Sequence, residues 1–460
     1  MSDTETFPER GTSFKRDLTK GSVFRNLLSL ALPMVINDSL WVVGMTVDMI
    51  WVGKLGVASI AGVGVAGMAV MMLMAARWGL GAGANAMIAR FIGAGDADGA
   101  NHVAQQVFVI SSVFAVVMPL IGIVFAEPLL VLLGLEADVV TEGAAYMRIQ
   151  LVGSAAMSFW MMGEGIMRAS GDAVNPMKIT IIARLAHLVL DPFLIFGWWI
   201  FPRLGVSGAA TANLVAYSLG MGFTLWFLFT GRTHLRLTLK SFRLDASIIW
   251  RIVKIGIPAS VMGMERTFGR MLLMWFMVPF GTLAVAGHTL AQRIEMSLFM
   301  PGWAMGIAGG VMVGQNLGAG QPEQAERSGW LAVALLEGFM AFCSLVILLW
   351  AESIIGIFNA EPGIVELAST FIRIEAVGYL VAGFVAALPQ CLSGAGDTVP
   401  PMLISVLMIW VVQVPLAFLL PEATGLGAYG VRWAIVAGNL AGAAAYATYF
   451  RLGMWKRKKV

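Results

Sequence analysis

The sequence predicts an all-α integral membrane protein with twelve transmembrane helices, built as two six-helix bundles related by pseudo-two-fold symmetry. Three observations carry this. The chain of 460 residues is 58% hydrophobic and 12% charged, where a soluble domain carries roughly a quarter charged residues. Its apolar stretches run to about 20 residues, enough to cross a bilayer as helix, whereas a β-barrel would alternate in short segments. The chain also matches itself at an offset of 225 residues. Gly56 recurs as Gly281, Trp78 as Trp303, Gly93 as Gly318 and Arg148 as Arg373. Gly171-Asp172 recurs as Gly396-Asp397, and no gap is needed from Pro33/Pro258 to Met177/Met402.

In chain order, a polar tail over 1–22 has no apolar core of signal-peptide type. Six spans follow, at about 23–52, 57–82, 102–126, 143–168, 177–200 and 207–230. They make an N-lobe over 23–230. A basic linker over 231–247 joins it to a C-lobe over 248–452, with spans at about 248–278, 282–314, 326–351, 364–392, 401–421 and 428–452. A basic tail closes the chain at 453–460. An even number of spans per half inserts both halves the same way up, the parallel kind of repeat found in secondary transporters. Lys and Arg collect in both tails and the linker, and Glu127, Glu136, Asp138, Glu361 and Glu422 in the opposite loops. The positive-inside rule then puts both termini in the cytoplasm of a prokaryotic cell, with the chain in its inner membrane. Cys343 and Cys391 both lie in apolar stretches, so no disulfide framework is expected. Abundant Gly at small-xxx-small spacing, such as Gly79 and Gly83, lets helices pack closely in lipid. The 30 methionines suit an adaptable apolar pocket.

Acids at membrane depth are costly unless paired, protonated or solvated, which makes each a functional candidate. Asp48 lies far along the first span. Asp191 lies about 14 residues, or roughly 20 Å, into the fifth, so the two can share a depth. Their counterparts in the second half are Leu273 and Val414. The repeat kept its frame and placed acid at these positions in the first half only, which points to a cation site in the N-lobe. His187 and Asp191 stand at i, i+4 and share a helix face with Arg184, and histidine titrates near neutral pH. A structural ion pair is the alternative. Tyr146 could donate to a carboxylate or belong to an interfacial belt. Weaker candidates for lining a substrate cavity are Asp38, Trp41, Trp160, Met161, Glu164 and Glu265. Glu164 with Arg168, at i, i+4, reads first as a structural pair. Arg293 with Glu295 and Arg373 with Glu375 read as pairs or cavity linings, and His288 as a lone structural residue.

Gly62-Val63-Gly64-Val65-Ala66-Gly67 fits a dinucleotide fingerprint, but it sits inside an apolar span with no strand before it. No P-loop, HExxH, CxxC or GxSxG is present. Neither an enzyme nor a nucleotide- or nucleic-acid-binding protein is therefore expected, and energy would come from an ion gradient.

Taken in order, several segments resemble the multidrug and toxic compound extrusion (MATE) family, in its DinF-like branch. They are Ala31-Leu32-Pro33, Val47-Asp48-Met49-Ile50-Trp51-Val52-Gly53-Lys54-Leu55-Gly56, Gly93-Ala94-Gly95, Arg168-Ala169-Ser170-Gly171-Asp172, Leu190-Asp191-Pro192 and Leu204-Gly205-Val206-Ser207-Gly208-Ala209-Ala210-Thr211. The resemblance implies a V of two bundles working by rocker-switch alternating access. It implies export of amphipathic, often cationic compounds in exchange for H+ or Na+, with no other cofactor and the monomer as the working unit. Its cation residues map onto Asp48, Tyr146, Asp191 and Thr211. A position commonly Asn in that branch is His187 here, which favours H+ over Na+ at Asp48 and Asp191. Glu265 sits close to an acid used by another branch, one residue short in spacing. The rival expectation is a lipid or lipid-linked oligosaccharide flippase of the same superfamily.

Overall fold

The computed structural model describes residues 18–132, 134, 136–240, 242–358 and 361–458; most of the N-terminal tail lies outside them. The first lobe is α1 (Val23–Gly53), α2 (Val57–Gly93), α3 (Ala97–Leu132), α4 (Ala137–Ala169), α5 (Val174–Phe196) and α6 (Val206–Thr230). The second is α7 (Ala246–Met277), α8 (Thr282–Gly318), α9 (Pro322–Gly356), α10, α11 (Val399–Ala423) and α12 (Ala428–Leu452). The α10 span is broken into Pro362–Tyr379 and Ala382–Gly394, which meet at a 53° bend. Among the described residues nine helices are long and apolar enough to cross a membrane, and the bent pair makes a tenth. The polar side chains of α4 and α12 keep them off that count, yet at 33 and 25 residues both are long enough to span. In α11 the turns at Leu407–Gln413 are widened. Pro415 just beyond has no N–H for the α-helical ladder and crowds the carbonyl four residues back.

The linker is no free loop. Asn101, Gln105 and Gln106 of α3 bond its backbone at Thr238, Arg243 and Asp245. Asp245 then caps α7, accepting from the Ser247 and Ile248 amides. The Ile248 amide above all, with His102 and the Ser247 amide, holds the Asp245 carboxyl below the ordinary carboxylate range.

The lobes meet near the ends that carry the termini. There Gly93 and Gly318, equivalent in the two repeats, let α2 and α8 touch through their backbones. A Cβ on Gly93 would stand 1.9 Å from the Gln315 carbonyl oxygen, and one on Gly318 would stand 2.1 Å from that of Arg90. Ala89 packs on Gly314 in the same seam. About 18 residues, or five turns, nearer the other end, the same faces carry Met71 and Met296. These are 49% and 50% exposed. The faces that join the lobes at the terminal end are therefore apart at the opposite end.

Candidate functional site

The N-lobe site lies where α1, α5 and α6 converge. Gly208 at the start of α6 lies against the Leu194 carbonyl of α5, where a Cβ would come within 2.4 Å. That approach brings the inner faces of the two helices together. His187 and Asp191, one turn apart on α5, face Asp48 of α1. His187 Nε2 is 2.9 Å from Asp48 Oδ1. One ligand atom each from Asp48, His187 and Asp191 lies within 4.8 Å of the others. All three side chains are buried, Asp191 and His187 completely. Both Asp191 carboxylate oxygens and His187 Nδ1 have no hydrogen-bond partner. Two carboxylates this close in a low-dielectric setting repel strongly unless a cation or proton lies between them. The cluster can therefore hold one, and its charge depends on whether it does.

A fourth residue completes the cluster. Asn213 Nδ2 donates to Asp48 Oδ2 at 2.9 Å from a position on α6 that is 3% exposed. The sequence reading passed it over, although a lone amide within an apolar span was the available signal. The other expected members stand differently. The Tyr146 hydroxyl accepts from Gln150 Nε2 at 2.7 Å, and the residue belongs to a buried apolar cluster that includes Val52, Val63 and Ile195. The Thr211 hydroxyl donates to the Ser207 carbonyl of its own helix at 2.7 Å. Neither bonds a cluster carboxylate in this conformation.

Of the cavity candidates, Trp160 is fully buried. Its indole fills the slot opposite Gly220 and lies 5.1 Å from the Trp41 ring, so it is a core residue. The Met161 sulfur is held by Arg77. Glu164 accepts from Thr180 at 2.9 Å and from Arg168 at 3.2 Å, and Asp38 lies 3.7 Å from Arg168. These make a structural network towards the terminal end. Glu265 is buried in the C-lobe and accepts from Ser405 at 3.0 and 3.2 Å.

The C-lobe departs from two expectations. Arg373 pairs with Glu352 on the surface, not with Glu375. Glu375 and Glu295 instead converge on the fully buried Arg432, at 3.3 and 3.9 Å. Arg432 also donates to the His288 carbonyl at 3.0 Å. The second lobe thus holds a buried acid of its own, Glu375, beside the partly exposed Glu295. A guanidinium already occupies the place a cation would take.

Comparison with known proteins finds a family model, MatE, that matches residues 33–193 and again 258–419, the two repeats. A probable multidrug resistance protein NorM of Thermotoga maritima is 26% identical over 98% of both chains. One of the same name from Burkholderia mallei is 30% identical over 89% of this chain and 88% of its own. A crystal structure of a MATE protein in a bent conformation superposes with a TM-score of 0.88 at 27% identity, covering 95% of this chain and 96% of that one.

Proposed function

Since the chain belongs to the MatE family, whose members are membrane transporters and not enzymes, we propose that it is a proton-coupled exporter of amphipathic, often cationic compounds. It would sit in the inner membrane of a prokaryote with both termini cytoplasmic. The observation that carries the reading is the buried Asp48–His187–Asp191 cluster. Two carboxylates and an imidazole suit a proton, since Na+ is a hard ion that prefers oxygen ligands throughout. A methionine-rich face such as that of Met71 and Met296 adapts to varied apolar shapes.

The mechanism follows from the charge. With the lobes apart on the non-terminal side, the cluster takes a proton from outside. The ionic hold on a cationic group is then lost and the compound leaves. Rocking about the Gly93/Gly318 seam opens the terminal side, the proton departs, and the ionised cluster loads the next compound. Pro33 gives α1 a place to bend. Proton and compound compete for one set of charges, and this couples the gradient to export.

The test is dye-cation uptake in proteoliposomes under an imposed ΔpH or an imposed Na+ gradient, for wild type, Asp48→Asn and Asp191→Asn. Uptake driven by ΔpH and lost in both variants is expected. Uptake driven by Na+ alone would overturn the proton assignment. Full driven transport by both variants would sink the site, and no driven uptake of any dye would turn the reading to a lipid-type flippase.

A further inference from the structure

The two repeats differ at one more buried place. In the first, α4 runs unbroken from Ala137 to Ala169. In the second, α10 breaks between Tyr379 and Ala382 and bends by 53°. The break leaves the first amides of the half-helix Ala382–Gly394 without helical acceptors, and Val381, at its N-cap, supplies none from its side chain. The acceptor comes from α9. Glu337 stands near the middle of that helix, and its Oε1 accepts from the Gly383 amide at 2.8 Å. The Phe384 amide is also within its reach. Gly383 makes room for this. A Cβ there would stand 3.0 Å from Glu337 Oε1 and 2.9 Å from the Val333 carbonyl oxygen. At the offset of 225 the first repeat has Ser112 for Glu337 and Ser158 for Gly383. The acid, the glycine that admits it and the bend therefore occur together, in one repeat only.

The Glu337 Oε2 is buried without a hydrogen-bond partner, and among the described residues no ion pair reaches this carboxylate. The charged groups of the neighbouring helices are engaged elsewhere. Glu295 of α8 and Glu375 of α10 lie on Arg432 of α12, gathered around Tyr379. On α1, Asp38 faces Arg168 and Asp48 faces His187. Cys343 on α9 and Cys391 on α10 are buried free thiols. Only the amides of the half-helix offset the Glu337 charge. An anion at a helix N-terminus is favoured by the dipole and by charge-assisted hydrogen bonds, whereas an anion at membrane depth without donors is costly.

If α10 straightens, the amides of Gly383 and Phe384 turn to the carbonyls of Tyr379 and Leu380, four residues back. Glu337 is then left without donors and takes a proton. The bent helix goes with the carboxylate and the straight helix with the acid, and by linkage each drives the other. The second half of α10 is fixed on α8, where a Cβ on Gly394 would stand 2.1 Å from the Gly310 carbonyl oxygen. The part that swings is Pro362–Tyr379, on the side where the lobes are apart.

We propose that Glu337 is a proton site of the C-lobe whose ionised form holds α10 bent, so that a proton taken from the open side re-aims the half of α10 on that side. Glu337 is a positioning residue, acting through the helix. The inference goes beyond the N-lobe cluster and stands or falls apart from it.

The test places nitroxides on Glu366→Cys and Val399→Cys, exposed positions in the first half of α10 and just past the second. Double electron–electron resonance reads their distance in the full chain in lipid nanodiscs as the pH falls from about 8 to about 5, through the range where a buried carboxyl titrates. Wild type should shift to a longer distance, the ratio of long to short forms rising by about ten-fold per pH unit where Glu337 titrates, the limit for one proton. Glu337→Gln, neutral at every pH, should hold the longer distance throughout, and Glu337→Asp should restore the response. Gly383→Ala, whose Cβ displaces the same carboxylate, should also favour the longer distance. The response should survive in Asp48→Asn with Asp191→Asn. A distance that does not change with pH in wild type, or a response kept in Glu337→Gln, would overturn the proposal. ΔpH-driven dye uptake in the same variants separates the hinge from export. A Glu337-dependent distance change with no driven uptake of any dye would leave the hinge standing and overturn export. Driven uptake with a fixed distance would do the reverse.

Discussion

At the scale of single residues, the donor set around Asp48 is open to two further tests. Asn213 supplies a donor to Asp48 Oδ2 in a fully enclosed place. Asn213→Leu should cost about 1–3 kcal/mol, the usual range for stranding a buried polar group. Thermal unfolding in detergent would read this as a lowered midpoint, and an unchanged midpoint would mean water replaces the amide. His187→Asn replaces an imidazole 2.9 Å from Asp48 with a group that can present oxygen to a hard cation. The variant should acquire Na+-driven dye uptake that the wild type lacks, and a variant driven by ΔpH alone would show that His187 does not select the ion. Asp48, His187 and Asp191 were legible in the sequence because charge is rare at membrane depth and helical spacing fixes a shared face. Asn213 was not, because a neutral amide does not stand out by charge. The pairing of Arg432 with Glu375 and Glu295 was hidden for a different reason. The three residues lie on three different helices, and no local spacing links them.

At the scale of elements, hydropathy found the spans but shortened several. The second was expected at 57–82, and α2 runs to Gly93. Its last turns carry Asn85 and Arg90, polar residues that a lipid-based reading discards; here they face protein, in the seam and against α4. The break in α10 escaped notice because no proline stands at Leu380–Val381 to announce it. The linker, read as a basic connection, is tied to α3 by side-chain amides and ends in the Asp245 cap. That cap makes a pH prediction. The Asp245 carboxyl titrates below its unfolded value, so its contribution is present above about pH 4 and is lost as pH falls through the folded value. Asp245→Ala should lower the unfolding midpoint at pH 7, and the gap to wild type should close below about pH 4. A gap that persisted in acid would mean that the charge of Asp245 is not what holds α7 to the linker.

At the scale of the whole molecule, the repeat ties its own two halves together. Arg90 and Gln315 are equivalent positions, each in the last turn of the helix at the seam. Gln315 reaches across to the Ala169 carbonyl at the end of α4, at 2.8 Å. Arg90 reaches across to the Ala395 carbonyl, just past the end of α10, at 3.2 Å. The two lobes thus clasp each other reciprocally, and the longer Arg at the position that is Gln in the other repeat makes a second hold. Arg90 also donates to the Lys458 carbonyl at 2.8 Å. The basic tail expected over 453–460 is docked along its described residues, 453–458: Trp455 is fully buried against Phe450, and Lys456 and Lys458 pair with Glu326 and Asp397. Each clasp is an ordinary hydrogen bond worth about 0.5–1.5 kcal/mol net, rising to about 3 where a charge takes part. Loss of both would shift a two-state balance by about 1–4 kcal/mol, or roughly 5- to 1,000-fold. Arg90→Ala with Gln315→Ala should therefore populate a form parted at the terminal side. Nitroxides at Asp96 and Gln321, equivalent positions in the turns that follow α2 and α8, would report this by double electron–electron resonance. The native Cys343 and Cys391 are buried and leave the labels on the engineered sites. A longer second distance in the double variant, partly present when the chain is cut after Gly453, is the expected result. An unchanged distance distribution would leave the closure to the backbone contacts of α2 with α8 and α7, and leave the clasps no part in the transport cycle.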